Sequence, residues 1–409
     1  MTAAPGPSVT TVDYHTAGEP FRIVPEPPLE IPGASVAEKR MAAIADAKID
    51  GLRRLLCFEP RGHADMYGGF ITDPDDAGAH FGVLFWHKDG FSTACGHGTI
   101  ALGTWAVESG RVPVDPSSIT EVVIDVPSGR VTAAVHTDDS GRVSSVDFIN
   151  VPGRLIAADV EVEVEAGADV EVEVGADIGV GVPADIKEEA SAAEAEARAA
   201  GTIPVDLIWG GAIYACVDGD ALGLQVAPEN LHELIELGRS IKAGLADHPL
   251  TAHPGDDRLS GVYGAIIVNR LGTLPGGELH QRNVTIFADG QVDRSPCGSG
   301  TAARIAALHS SGELADGHTL IHESIIGTRF RARVLSADTA SGAATGAAAG
   351  AAAGRATGED TQEDAAEDSR EDTTESGVVP IISASAHKVA TCTFEVDDRD
   401  DLVPGFVLR

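Results

Sequence analysis

The sequence predicts an α/β protein built of two similar halves, and two observations carry that prediction. First, residues 95–110, CGHGTIALGTWAVESG, and residues 297–312, CGSGTAARIAALHSSG, align cysteine on cysteine and share Cys, Gly, Gly, Thr, Ala, Ser and Gly at the same offsets. Each begins in a glycine-flanked turn, continues as a helical run and closes at Ser-Gly. Second, each motif follows β-patterned runs and is followed by more of them. With two compositionally biased stretches removed, about 320 of the 409 residues remain, which suits two domains.

The elements follow in order. VTTVDYHTAGEPFRIV is rich in β-branched residues and reads as a strand. ASVAEKRMAAIADAKIDGLRRLLCFEP has apolar positions at helical spacing and reads as one helix interrupted near Gly51. PRGHADMYGGFITD is a loop leading into a strand, and HFGVLFWHKDGFSTAC is a buried strand, a turn at Lys88-Asp89-Gly90 and a loop into Cys95. Residues 118–155 give short alternating strands separated by turn signals, an antiparallel pattern.

The Val-Glu alternation of DVEVEVEAGADVEVEVGAD fits a hairpin with one valine face or a solvated insert. The insert is favoured, because the repeat holds no packing partner for its strands. IKEEASAAEAEARAAG favours helix by propensity. In the second half, IPVDLIWGGAIYACVDGDALGLQV is strand-like with a Gly-Gly break, and NLHELIELGRSIKAGLADH is an amphipathic helix. SGVYGAIIVNR and RNVTIFADGQVDRSPC are strands running into Cys297, and HTLIHESIIGTRFRARVL is a further β pair. Residues 335–378 are low in apolar bulk, cannot offset the entropy of ordering, and are expected to be disordered. The expected domains are 8–200, carrying Cys95 and an insert at about 158–200, and 201–395, carrying Cys297 and an insert at about 335–378. A tail, 396–409, is expected to return to the first domain.

The net charge of −34 argues against nucleic acid and anionic membrane as partners. The two inserts supply −19 of it. No apolar run approaches the roughly 20 residues that span a bilayer. The N-terminus has neither a basic head nor an apolar stretch, so a cytoplasmic protein is expected. The five cysteines, Cys57, Cys95, Cys216, Cys297 and Cys392, are odd in number and include no C-x-x-C, so neither a disulfide framework nor a metal site is expected. Cys57, Cys216 and Cys392 sit in β-like or apolar runs and read as packing residues.

Cys95 and Cys297 read differently. A helix N-terminus favours thiolate, and its free N–H groups suit a carboxylate. Two such ends facing each other would hold a carboxylate on the amides, with one sulfur on each face of the adjacent carbon. Inverting a stereocentre α to a carboxylate needs a base on one face and an acid on the other. Identical residues in identical settings provide matched pKa values for that exchange of roles. A thiol–disulfide switch in a binding protein is the competing use of two opposed sulfurs.

DYHTAGEP, GHADMYGGF, ACGHGTIALG and DRSPCGSGTAAR together resemble the proline racemase family, across most of the chain outside the inserts. The resemblance implies a diaminopimelate-epimerase-like fold: two pseudo-symmetric domains, each a sheet curled round a central helix, with the site between them. It implies catalysis with neither pyridoxal phosphate nor metal, an amino-acid substrate, and a homodimer. It makes Cys95 and Cys297 the acid/base pair and places Gly96, His97, Gly298 and Ser299 at the substrate carboxylate. Asp293 falls at the substrate ammonium, and Phe287 and Tyr67 are candidates for the walls of a pyrrolidine pocket. FSTACGHGTIALG is nearer the family's trans-3-hydroxy-L-proline dehydratases, but those carry threonine at the position of Cys297. The second cysteine therefore points to racemisation or epimerisation of proline or hydroxyproline, with dehydration as the alternative.

Overall fold

The computed structural model describes residues 8–116, 119–164, 201–335, 377–397, 399–403 and 405–408. The first run of β-branched residues is a hairpin rather than one strand. β1 (Ser8–Thr16) and β2 (Glu19–Val24) are antiparallel and turn at Ala17-Gly18, both of which have positive φ, 52° and 98°. The helix expected next is two helices, α1 (Val36–Ala45) and α2 (Ala47–Cys57). The break falls at Asp46 and not at Gly51. The Asp46 side chain accepts from the Lys48 and Ile49 amides at 2.7 and 3.3 Å and starts a new helix, as an N-cap does. The chain continues as β3 (Gly68–Thr72), β4 (Phe81–His87), β5 (Gly90–Phe91), α3 (Gly96–Glu108), β6 (Ile119–Val126), β7 (Gly129–Thr137), β8 (Val143–Ile149) and β9 (Arg154–Glu163).

The second half repeats this plan. It contains β10 (Thr202–Trp209), β11 (Ile213–Asp218), α4 (Leu231–Gly244), β12 (Val262–Thr273), β13 (Leu279–Phe287), β14 (Gln291–Val292), α5 (Gly298–Ser310), β15 (Leu320–Ser324), β16 (Arg329–Val334), β17 (Pro380–Ala384) and β18 (Ala386–Glu395). Hydrogen-bonded neighbours run β18-β1-β2-β3-β4-β6-β7-β8 on one side. They run β9-β10-β11-β12-β13-β15-β16-β17 on the other. The parallel pairs β2–β3 and β4–β6 are matched by β11–β12 and β13–β15. The two series join where β8 and β17 pair antiparallel.

Strand pairing does not follow the division expected at residue 200. β9 crosses to pair with β10, and β18 crosses back to pair with β1. The first part of the Val-Glu alternation is thus a strand and not a solvated insert, with Val160 opposite Val205 and Val162 opposite Ile203. Val162 is buried in the second core beside α4 residues Leu234 and Ile241, which supplies the packing partner that the repeat lacks. The rest of that repeat, the alanine-rich helix candidate and nearly all of 335–378 lie outside the described residues. Near the C-terminus, Phe406 bridges Glu59, and the Arg61 side chain donates to the Val403 carbonyl at 2.5 Å.

Alternation along a strand decides what lies on each face. On β4, Phe81, Val83 and Phe85 pack with α3, while Leu84 and Trp86 pack with α1 and α2. On β12, Ala265 and Ile267 pack with α4, while Ile266 and Val268 pack beside α5. Each sheet therefore wraps a central helix, α3 or α5, and carries its other helices outside. A helix wrapped on all sides has no polar face to spare, and α3 is buried from Gly96 to Val107. Burying a side chain such as Leu102 contributes about 2 kcal/mol. Among the described residues no helix is long and apolar enough to cross a membrane.

Candidate active site

The central helices point their N-termini at each other. Cys95 caps α3 and Cys297 caps α5, and each sulfur accepts from the amide three residues on, Gly98 or Gly300, at 3.3 Å. A Cβ built on Gly96 would lie 2.5 Å from the Gly298 Cα and 2.7 Å from the Ser299 nitrogen. One built on Gly298 would lie 2.5 Å from the Gly96 Cα and 2.8 Å from the His97 nitrogen. Both helix starts therefore meet through glycine because no side chain fits there. The pairing of the two motifs expected from their duplication is present in the fold.

The turn before Cys297 is held by Asp293, whose Oδ1 accepts from the Ser295 amide at 2.8 Å and the Ser295 hydroxyl at 2.7 Å. Cys297 itself sits at φ 63°, a left-handed conformation that costs a non-glycine residue energy and persists only where its surroundings enforce it. The other oxygen of Asp293, Oδ2, lies 4.0 Å from His97 Nδ1, which is itself 3.5 Å from the Cys95 sulfur. His97 is buried, which lowers its pKa to about 3, so this contact is between a neutral ring and a carboxyl.

The expectation that helix termini lower the thiol pKa is reversed. Both cysteines are 5% exposed. Burial pushes both thiols well above the usual cysteine range, with the Asp293 charge acting in the same direction. The Gly98 and Gly300 amides oppose this without overcoming it. Asp293 is raised to about 6, first by burial.

Tyr67 and Phe287 stand in one aromatic wall, with centroids 5.8 Å apart, and Tyr67 meets the His97 ring edge-on at 5.0 Å. Tyr67 is not purely apolar there. Its hydroxyl shares hydrogen bonds with Ser92 Oγ at 2.5 Å and Tyr263 Oη at 2.9 Å. Ser299 shares a 2.6 Å hydrogen bond with Tyr214, whose hydroxyl lies 3.9 Å from the Cys297 sulfur. Sequence reasoning missed Tyr214 and Tyr263, which no local pattern ties to Cys95 or Cys297, and Ser92, which lies within FSTACGHGTIALG three residues before Cys95. It also missed Glu19, although DYHTAGEP contains it. Glu19 is fully buried, and its Oε2 accepts from the Arg294 amide at 2.7 Å beside Asp293.

Comparison with known proteins identifies the family and the fold. The family model described as proline racemase matches residues 11–179 and 182–407. A trans-3-hydroxy-L-proline dehydratase of Azospirillum brasilense is 36% identical over 98% of both chains. A 3-hydroxyproline 2-epimerase of Burkholderia multivorans is equally similar, at 36% identity over 98% of each. Among solved structures, a hydroxyproline epimerase from Agrobacterium vitis with bound trans-4-OH-L-proline superposes with a TM-score of 0.74. It is 25% identical and covers 98% of this chain and 96% of its own. A PhzF-family protein of Bacillus anthracis shares the fold at a TM-score of 0.51 and 12% identity, covering 95% of this chain and 99% of its own. This fold is the diaminopimelate-epimerase-like one that the sequence resemblance implies. The chain is an enzyme of the proline racemase family.

Proposed function

We propose that the enzyme inverts the α-carbon of a hydroxyproline by a two-thiol mechanism that needs no cofactor. The observation that carries this is the mirrored placement of Cys95 and Cys297 as caps of two helices that touch at Gly96 and Gly298. The substrate carboxylate lies on the first-turn amides of both helices, at Gly96, His97, Gly298 and Ser299. Asp293 takes the ammonium, and Tyr67 and Phe287 flank the ring. One cysteine, as thiolate, removes the α-proton. The electron pair moves into the carboxylate as an enediolate, and the other thiol protonates the opposite face. Fixed N–H groups aimed at the developing charge contribute about 3 kcal/mol or more to such a step. Because the Asp293 charge helps hold both thiols protonated, an ammonium docked on it favours thiolate.

A hydroxylated ring suits the wall better than a bare one. The Tyr263–Tyr67–Ser92 chain has three hydroxyl hydrogens and only two internal hydrogen bonds. A ring hydroxyl completes it, and a site built that way disfavours the analogue lacking the group.

Loss of water from trans-3-hydroxy-L-proline is the second reading. It is favoured by the dehydratase name carried by a relative as similar as the epimerase. Here Cys95 takes the α-proton and the 3-hydroxyl departs, leaving a pyrroline. Incubation with L-proline, trans-4-hydroxy-L-proline and trans-3-hydroxy-L-proline, followed by chiral chromatography, separates the readings. An epimer of a hydroxyproline is the expected product; pyrroline alone would establish the dehydratase, and no turnover of any of the three would overturn both.

A further inference from the structure

Glu19 opens β2 and lies directly beside the Asp293 turn, yet nothing in the two-thiol chemistry uses it. It is 0% exposed, and its Oε1 has no hydrogen-bond partner among the described residues. Among the described residues, Oε2 receives only the backbone N–H of Arg294. The Arg294 guanidinium is committed elsewhere, to Asp65 Oδ2 at 2.8 Å and the Val292 carbonyl at 2.8 Å. Glu19 and Asp293 are thus two adjacent buried carboxyls with no hydrogen-bonded side-chain cation among the described residues; the Arg294 charge lowers both, but burial outweighs it. The other titratable groups facing them do not supply one. Cys95 is a thiol and His97 is neutral, while Asp65 adds a further carboxyl.

Two buried carboxylates side by side do not both stay ionised when the nearest guanidinium is hydrogen-bonded elsewhere and its charge does not offset burial, so the pair retains a proton. Burial raises Glu19 well above the ordinary carboxyl range, with the Asp293 charge next, and Asp293 is itself raised. The missing cation is the one that an amino-acid substrate brings.

We propose that Glu19 is a positioning residue that shares a proton with Asp293 and surrenders it to solvent when a substrate ammonium docks, so that binding is coupled to proton release. This rests on the reading of Asp293 as the ammonium site. The step balances simply: a carboxyl O–H breaks, its proton leaves to buffer, and the ammonium of the zwitterion becomes the counter-ion of the resulting carboxylate. The free pair must lose a proton to bind, so KM falls as pH rises, by up to about tenfold per pH unit, until the free pair is ionised.

The test is titration calorimetry of the full chain with trans-4-hydroxy-L-proline in two buffers of different ionisation enthalpy. Tetrahydrofuran-2-carboxylate, the oxygen isostere of proline without an ammonium, serves as the second ligand. Close to one proton released with the amino acid, and none with the isostere, is the expected result. Glu19→Gln should lose the release and flatten the dependence of KM on pH, while kcat keeps its pH profile. Turnover and binding without proton release in the wild-type protein would overturn the role of Glu19 and leave the proposed reaction standing. Unchanged release in Glu19→Gln would also overturn it, by placing the proton on another group. If no proline or hydroxyproline binds or turns over, the proposed function falls, and this inference with it.

Discussion

Gly96 and Gly298 meet backbone to backbone, so that a Cβ on either would lie 2.5 Å from the Cα of the other. That contact fixes the separation of the helix starts capped by Cys95 and Cys297. Gly96→Ala and Gly298→Ala must each push the two ends apart. Misplacing reacting groups by about 1 Å costs on the order of 100-fold in rate. Steady-state kinetics should show kcat/KM falling by about that factor in each variant. Full activity in either would mean that the two helix starts do not act together.

Ser92 ends the hydroxyl chain that runs through Tyr67 to Tyr263. Ser92→Ala should lower kcat/KM for the preferred hydroxyproline by about tenfold, which corresponds to a loss of about 1.4 kcal/mol of transition-state stabilisation. Proline should be affected much less. Equal losses for both substrates would show that the chain supports the pocket without reading the ring.

Three buried histidines, His87, His97 and His322, have pKa values lowered to about 3, each first by burial. Unfolding restores an ordinary value near 6.5, so between about pH 6.5 and 3 the unfolded chain binds more protons at these sites. Stability from them is present above that window and is lost as pH falls through it. Asp293, raised to about 6, acts in the opposite sense, since the folded state holds its proton longer. Glu19 acts like Asp293. His15 and His253 are also lowered and Asp75 and Asp206 also raised, which makes five histidines against four carboxyls among the described residues, so urea denaturation should show stability declining from pH 6.5 to 5. The slope should be about 1.4 kcal/mol per pH unit for each uncompensated histidine. A flat or rising profile would mean that these rings are protonated in the folded protein.

Cys297→Thr removes the only thiol on one face of the proposed site. A threonine hydroxyl is far too weak an acid to exchange protons as a thiol does near neutral pH. The variant should lose inversion at least 1000-fold, roughly the contribution of a general acid or base. Any remaining turnover of trans-3-hydroxy-L-proline should appear as pyrroline from Cys95 acting alone. Continued formation of an epimer at the wild-type rate would remove Cys297 from the reaction.

The duplicated cysteine motifs, most strands and the long helix α4 were legible because each rests on local pattern: glycines at fixed offsets, β-branched runs, apolar residues at helical spacing. The exchange of β9 and β18 between the two halves was not. Asp159–Glu163 alternates valine with glutamate and looks solvated until β10 and α4 are placed against it. The break at Asp46 depended on a side-chain cap that outweighed the glycine five residues on. At the site, Cys95, Cys297 and Asp293 could be named from sequence, but their environment could not. The raised thiols reflect how completely the two halves enclose them, and Glu19 and Tyr263 reach the site from elements distant in sequence.

The two-thiol mechanism is tested most directly by α-hydrogen exchange in heavy water. NMR would follow each enantiomer at the α-carbon of the preferred substrate with wild-type protein, Cys95→Ser and Cys297→Ser. Wild-type protein should place deuterium at the inverted centre without loss of the hydroxyl. Each variant should fail to invert and should exchange at most one enantiomer, the two variants retaining opposite ones, because the surviving cysteine still reaches its own face. Inversion at the wild-type rate in either variant would contradict the mechanism and leave that cysteine at its helix start for packing alone.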